Sequence, residues 1–303
     1  MTTVPENPFA LPGEVRDNAP LNPLRHETHL GLYVPVDNTQ GAFEEFCDRF
    51  TDPGYLRLDG RLVVTAGGRG CGKSSLINRC AHWLQDQMRT EAQLTAVVVD
   101  VTRGSSIAES MAARRARVYA ALLDKLYANK TLIHDLAYQQ RHSPDEALRT
   151  LPNCLDEHCA LIVLLPSTEL VDELVQYTQD VGQRMVFFAE TTAELSNDHR
   201  LRMDQAGAIP PVHLQVGRLD SADAGVFASE RLHPLRDVLP PVAKTALEEL
   251  ISRRLVSIGE VQRLLYGVYA QLRVQSVLPK EVTYQHISDH YVKHAADLLE
   301  TRP

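Results

Sequence analysis

Short apolar runs recur between residues 62 and 216 and then stop. They are Leu62-Val-Val-Thr-Ala66, Leu94-Thr-Ala-Val-Val-Val-Asp-Val101, Cys159-Ala-Leu-Ile-Val-Leu-Leu165, Arg184-Met-Val-Phe-Phe-Ala189 and Val212-His-Leu-Gln-Val216. Such nearly continuous, β-branched runs are the pattern of strands buried on both faces. Between them the apolar residues take helical spacing: Leu76, Ile77, Cys80, Leu84 and Met88, then Ile107, Met111, Val118, Leu122 and Leu126 in a helix predicted over about 107–129. Five strands separated by helices predict an α/β fold, a five-stranded parallel sheet with helices on both faces.

Past Asp220 only helical patterns remain, over about 221–231, 240–255, 261–274 and 283–299. Pro240 is expected in a first helical turn, and Ser257-x-x-Glu260 reads as a capping box. Ahead of the strands, residues 1–40 carry Pro5, Pro8, Pro12, Pro20, Pro23 and Pro35, which predict an extended arm wrapping the domain or a partner. A helix over 41–50 and a turn at Thr51–Gly54 follow. The expected division is an arm with a short helix (1–54), an α/β domain (55–219) and a C-terminal helical lid (220–303).

The first strand runs straight into Gly67-Gly68-Arg69-Gly70-Cys71-Gly72-Lys73-Ser74, and Ser75 continues into a helix. Strand, glycine-rich turn and helix in that order form a phosphate-binding loop. Gly67 and Gly72 frame a turn whose N–H groups point inward at phosphates, and the helix from about Lys73 adds its positive end. Lys73 is expected to reach the β- and γ-phosphates, Ser74 to ligate Mg²⁺, and Ser75 to support the helix start. Cys71 is expected to fill space within the loop.

The chain has 303 residues, 44% of them hydrophobic, enough for an α/β domain plus a smaller helical one. Cys47, Cys71, Cys80, Cys154 and Cys159 are odd in number and lack a C-x-x-C pair, which suits free thiols in a reducing compartment. No apolar stretch is long enough to span a membrane and the first residues lack a secretory pattern, so a cytoplasmic location is expected. Cys154, His158 and Cys159 lack the matching second half of a structural metal site. A net charge of −8 argues against broad nucleic-acid binding. Arg114, Arg115 and Arg117 are the densest candidate for a local basic patch, though such a run is most often just the solvated side of a helix.

The strand order, the loop and the helical lid resemble the additional-strand P-loop NTPases, and within them the AAA+ group and the related STAND ATPases, including origin-recognition-like proteins. The likeness covers about residues 55–299, and only the phosphate loop is a specific motif. It implies ATP and Mg²⁺ as cofactors. It also implies that the fourth strand lies between the strand bearing the loop and the strand where such proteins carry the Walker B acids. Here that strand runs into Pro166-Ser-Thr-Glu169, a proline standing where the aspartate is expected. Glu169 is one candidate replacement, although an acid at a helix start is equally explained by the helix dipole.

Glu190 is the alternative candidate for acid/base work, and either Glu190 or Thr191 lies where the resemblance puts a polar residue near the γ-phosphate. Arg200 and Arg202 match the place of an arginine given to a neighbouring subunit, and Arg263 loosely resembles a lid arginine that contacts nucleotide. Asp100 is expected at the sheet edge in a structural or interfacial role.

The leading functional expectation is an AAA+/STAND-like assembly or signalling module controlled by ATP, with hydrolysis weak or absent, acting as a homo-oligomer or with a protein partner. The alternative is an active AAA+ ATPase that loads or remodels a partner on DNA, using Glu190 or Glu169 as its acid. A metabolic kinase is a distant third, because no acceptor-substrate signature is present.

Overall fold

The computed structural model describes residues 4–14, 19–103, 109–253 and 256–293, which fall into two units. The first comprises Gly41–Gly67 and Leu76–Gln215. The second comprises the described residues of the N-terminal arm up to Gln40, the loop segment Gly68–Ser75, and the chain from Val216 onward.

In chain order the elements through the first unit are α1 (Thr39–Arg49), β1 (Arg61–Ala66), α2 (Lys73–Thr90), β2 (Thr95–Asp100) and α3 (Met111–Ala128). Then come α4 (Leu136–Gln139), α5 (Pro144–Thr150), β3 (Cys159–Leu164), α6 (Val171–Asp180), β4 (Met185–Thr191), α7 (Asn197–Asp204) and β5 (Val212–Gln215). The five strands form one parallel sheet in the order β2-β3-β4-β1-β5. β3 is buried along its whole length, and β1 and β4 nearly so, which explains their unbroken apolar sequences. β4 runs two residues past its predicted end, so Glu190 and Thr191 lie within the strand, in register with Thr65 and Ala66 of β1. The helix predicted from Ile107 starts at Met111, capped by the Ser110 hydroxyl, which accepts from Ala113 N–H at 3.3 Å. Residues 107–108 of that expectation lie outside the described residues.

The arginine run on α3 is not a basic patch, and of its three members only Arg117 is exposed. Arg114 is buried and pairs with Glu173 of α6 at 3.2 Å; Glu173 also accepts from the Thr168 hydroxyl at 2.6 Å and the Tyr177 hydroxyl at 2.7 Å. Arg115 holds both carboxylate oxygens of Asp180, at 2.6 and 2.7 Å, and also reaches Asp145. Arg117 pairs with Glu109. Each cation is matched by an acid from its own chain, leaving none of the three to serve as a free phosphate clamp.

Gly60, just before β1, marks a close backbone approach. A Cβ there would lie 2.0 Å from the Gly182 carbonyl oxygen and 2.8 Å from that of Met185. Gly60→Ala is therefore expected to cost about 1–3 kcal/mol, read from urea unfolding. Gly225→Ala is the control: beyond its own helix backbone, nothing among the described residues lies within 4 Å of its added methyl, and it is expected to stabilise its helix slightly.

The second unit contains α8 (Ser221–Leu232), α9 (Lys244–Arg253), α10 (Ile258–Leu272) and α11 (Tyr284–Lys293). α8 and α10 open with capping boxes, Asp220 with Asp223 and Ser257 with Glu260. Pro240 does not begin a helix. Its carbonyl accepts from the Tyr269 hydroxyl at 2.6 Å, the Pro241 carbonyl accepts from Val282 N–H at 2.8 Å, and Val242 bridges Val282 in parallel. These partners hold the segment extended until Lys244. The predicted helix ends at 254–255 and 294–299 lie outside the described residues.

The arm supplies part of this unit's core. Phe9 is fully buried, its ring 6.1 Å from that of Phe227 and 5.2 Å from that of Tyr269. Arg231 donates to the Pro8 and Ala10 carbonyls at 3.1 and 2.9 Å, and Asn7 donates to the Tyr266 carbonyl at 2.8 Å. The burial that goes with these contacts lowers the Arg231 pKa to about 10. No helix among the described residues is long and apolar enough to cross a membrane.

Candidate nucleotide-binding site

β1 delivers the chain to Gly67, whose N–H donates to the Thr191 carbonyl at 3.2 Å and so fastens the loop entrance to the end of β4. α2 starts at Lys73, where the sequence places it. Between these points Gly70 and Gly72 adopt φ of 76° and 83°, conformations that a side chain resists. Arg69 and Gly70 are exposed at the apex, whereas Cys71 is buried, its sulfur 3.3 Å from where a Cβ on Gly68 would lie. Burial, then Asp37, raise the Cys71 thiol pKa against the opposing effect of Lys73 and Arg218. Cys71 therefore packs as a neutral filler.

Lys73 is only 7% exposed and donates to the Gly68 carbonyl at 2.8 Å. Ser74 and Ser75 occupy the first turn of α2. The Ser75 hydroxyl accepts from Leu21 N–H at 3.0 Å, and its carbonyl accepts from the Tyr33 hydroxyl at 2.8 Å. The arm thus braces the start of α2 through Ser75.

The loop apex also meets the start of α10. Gly259 N–H donates to the Gly70 carbonyl at 3.0 Å, and a Cβ on Gly70 would come within 2.4 Å of the Ser257 hydroxyl. Sequence reasoning saw Ser257 only as a helix cap; its place against the loop is a long-range fact with no local signal. Arg263 is half-buried one turn along α10 from Gly259. Arg218, exposed and not anticipated, has its Nε 4.0 Å from the Cβ position of Gly68.

In the sheet unit, β3 ends at Leu164 and continues through Leu165 and Pro166, so no acid ends this strand. Glu190 is half-buried in β4, its carbonyl accepting from Thr168 N–H at 3.0 Å. Thr191 is buried, and its hydroxyl accepts from Ala193 N–H at 3.0 Å. The Glu169 carboxylate accepts from the Thr192 hydroxyl at 2.7 Å, which brings both candidate acids to the same end of β3 and β4. Arg202 on α7 pairs with Asp172 at the surface, while Arg200 is half-buried, its Nε without a hydrogen-bond partner among the described residues. Asp100 ends edge strand β2 and caps its own turn, its carboxylate accepting from Thr102 N–H at 3.0 Å.

The loop's chemistry suits a polyphosphate: left-handed glycines, a helix N-terminus and a buried lysine converge on one turn. No group of three or more His, Cys, Asp or Glu is placed to hold a metal among the described residues. A divalent ion here would depend on the nucleotide's phosphates and the Ser74 hydroxyl.

The sheet order, the loop after β1 and the helical unit that follows β5 make this the fold of an AAA+ P-loop NTPase. No family profile and no curated protein matches the sequence. Among solved structures, the chain is similar to the ORC1 protein of Aeropyrum pernix in complex with DNA, at 14% identity and a TM-score of 0.55 over 86% of this chain and 68% of that one. It is similar to Drosophila ORC bound to DNA, at 12% identity and a TM-score of 0.55 over 97% and 74%. Domain III of the Thermotoga maritima replication initiation protein DnaA gives 12% identity and a TM-score of 0.51 over 91% and 98%.

Proposed function

We propose that this protein is an ATP-controlled assembly or signalling module whose turnover is slow or absent. The observation that carries this reading is the hydrogen bond from Gly259 at the start of α10 to the Gly70 carbonyl at the loop apex. Phosphates held by the loop's N–H groups would fix the orientation of that carbonyl, and hence the seat of α10. A ligand that binds one arrangement better shifts the population toward it, which is all that nucleotide control requires.

Lys73 would bind the β- and γ-phosphates and Ser74 the Mg²⁺ that accompanies them, the ion neutralising phosphate charge. With Pro166 where an acid is expected, Glu190 is the residue we assign to positioning water, because its strand pairs directly with β1. Arg202 is available to a second copy, since an exposed ion pair with Asp172 is worth about 1 kcal/mol or less.

The test is calorimetry with ATP–Mg²⁺, followed by light scattering and a turnover assay with and without DNA. Lys73→Ala is expected to weaken ATP binding on the order of 100-fold, the loss of charge-assisted hydrogen bonds worth about 1.5–3 kcal/mol. A nucleotide-dependent change in mass or shape with little turnover supports the module. Rapid turnover stimulated by DNA, and lost in Glu190→Gln, would instead make it an active remodelling ATPase. No heat and no melting shift with ATP in the wild-type protein would end both readings.

A further inference from the structure

The least satisfied polar group beside the loop is a carboxyl. Asp37 lies in the arm at φ 45°, is 6% exposed, and among the described residues has no hydrogen-bond partner for either carboxyl oxygen. Its backbone is engaged instead: the N–H donates to Asp223 Oδ2 at 3.2 Å, and the carbonyl accepts from Gly217 N–H at 3.2 Å. Asp223 stands in the first turn of α8, where its Oδ2 also receives Asp220 N–H at 3.5 Å.

On the loop side, Asp37 acts electrostatically on the Cys71 thiol, which also feels Lys73 and Arg218. Two residues on, Thr39 Cγ2 is 3.9 Å from the Cβ position of Gly72. The groups bearing on Asp37 are thus Asp223 from α8 and Cys71 from the loop. Burial, then Asp223, push its pKa up to about 8. An ionised carboxylate with no donor to meet it, beside a second carboxylate, is costly in such a place.

We propose that Asp37 is a proton-operated latch: as the neutral acid it seats the arm against α8 and beside the phosphate loop, and its ionisation unseats the arm and weakens nucleotide binding. This rests on the loop being a nucleotide site. A bound triphosphate adds negative charge on the same side, so nucleotide favours the protonated form and, by reciprocity, the proton favours nucleotide.

The sign for stability follows from the same group. The folded pKa exceeds the unfolded one, so the folded protein holds the extra proton. Stability is full below the usual aspartate range, falls as pH rises toward about 8, and levels off above it.

The experiment measures ATP–Mg²⁺ affinity from pH 7 to about 9.5 by calorimetry in two buffers of different ionisation heat, with apo melting curves from about pH 4 to 9. Wild-type affinity is expected to fall at least ~5-fold across the range, with proton uptake on binding. Asp37→Asn, which keeps a donor and an acceptor without charge, is expected to bind with a flat profile and to melt progressively higher than wild type as pH rises to about 8. Asp223→Asn is expected to give a smaller fall beginning at lower pH. Equal pH slopes in wild type and Asp37→Asn, with ATP bound in both, overturn the latch alone. Failure of ATP to bind either protein at any pH overturns the nucleotide reading and the coupling together, and the melting curves then report separately whether Asp37 holds a proton.

Discussion

Arg114→Met is expected to lower the unfolding free energy by about 3–5 kcal/mol, the cost of stranding a buried charge. The guanidinium and Glu173 are 6% and 1% exposed, and the hydroxyls of Thr168 and Tyr177 remain after the substitution as neutral donors that cannot balance a full charge. The same network ties α3 to α6 and to the segment after β3, so loosening it is expected to reach the Glu169–Thr192 contact as well. Urea unfolding of Arg114→Met, Glu173→Leu and the double variant gives the coupling directly. The double variant is expected to recover most of the loss, because replacing both members of a buried pair with apolar groups removes the penalty rather than exposing it. If the single substitution shifted the unfolding midpoint no more than a surface change does, the buried pair could not be holding α3 against α6.

Gly70→Ala has the second large effect, and it falls on the site. An alanine held at φ 76° costs about 1–2 kcal/mol by conformation alone, and its methyl would meet the Ser257 hydroxyl at 2.4 Å. Relief requires Ser257 to leave its capping position, worth about 1 kcal/mol, or α10 to withdraw from the loop. The expected outcome is ATP binding weakened about 10- to 100-fold by calorimetry, equivalent to about 1.4–2.8 kcal/mol. Gly70→Ala combined with Ser257→Ala separates the two terms: removing the hydroxyl relieves the clash, while the backbone strain persists. Wild-type affinity in Gly70→Ala would mean that neither the loop conformation nor its contact with α10 bears on nucleotide.

The strands were legible because a parallel sheet buries both faces and so writes continuous apolar runs into the chain. All five lie within two residues of their predicted ends, and the place of β4 between β3 and β1 agrees with the resemblance. The Ser257–Glu260 cap was equally legible, since a capping box is a contact between residues three apart. The Pro240 expectation failed for the opposite reason. A proline suits a first helical turn locally, but carbonyl partners at Val282 and Tyr269, distant in sequence, keep the segment extended. Arg114 and Arg115 of α3 misled in the same way: a run of like charge reads as a surface until the acids that pair with these two, 30 and more residues away, are brought to it.

By itself the sequence determined the five strands, the phosphate loop and the absence of an acid where β3 ends, because each is written in neighbouring residues or in a repeating period. Tertiary structure alone decided that α10 would rest on Gly70, that Phe9 of the arm would complete the helical unit's core, and that Asp37 would meet Asp223 without a donor, among the described residues, for its own carboxyl. These are meetings of residues roughly 190 to 260 apart along the chain. Burial and charge at such distances depend on how the whole chain packs, and no local pattern encodes them.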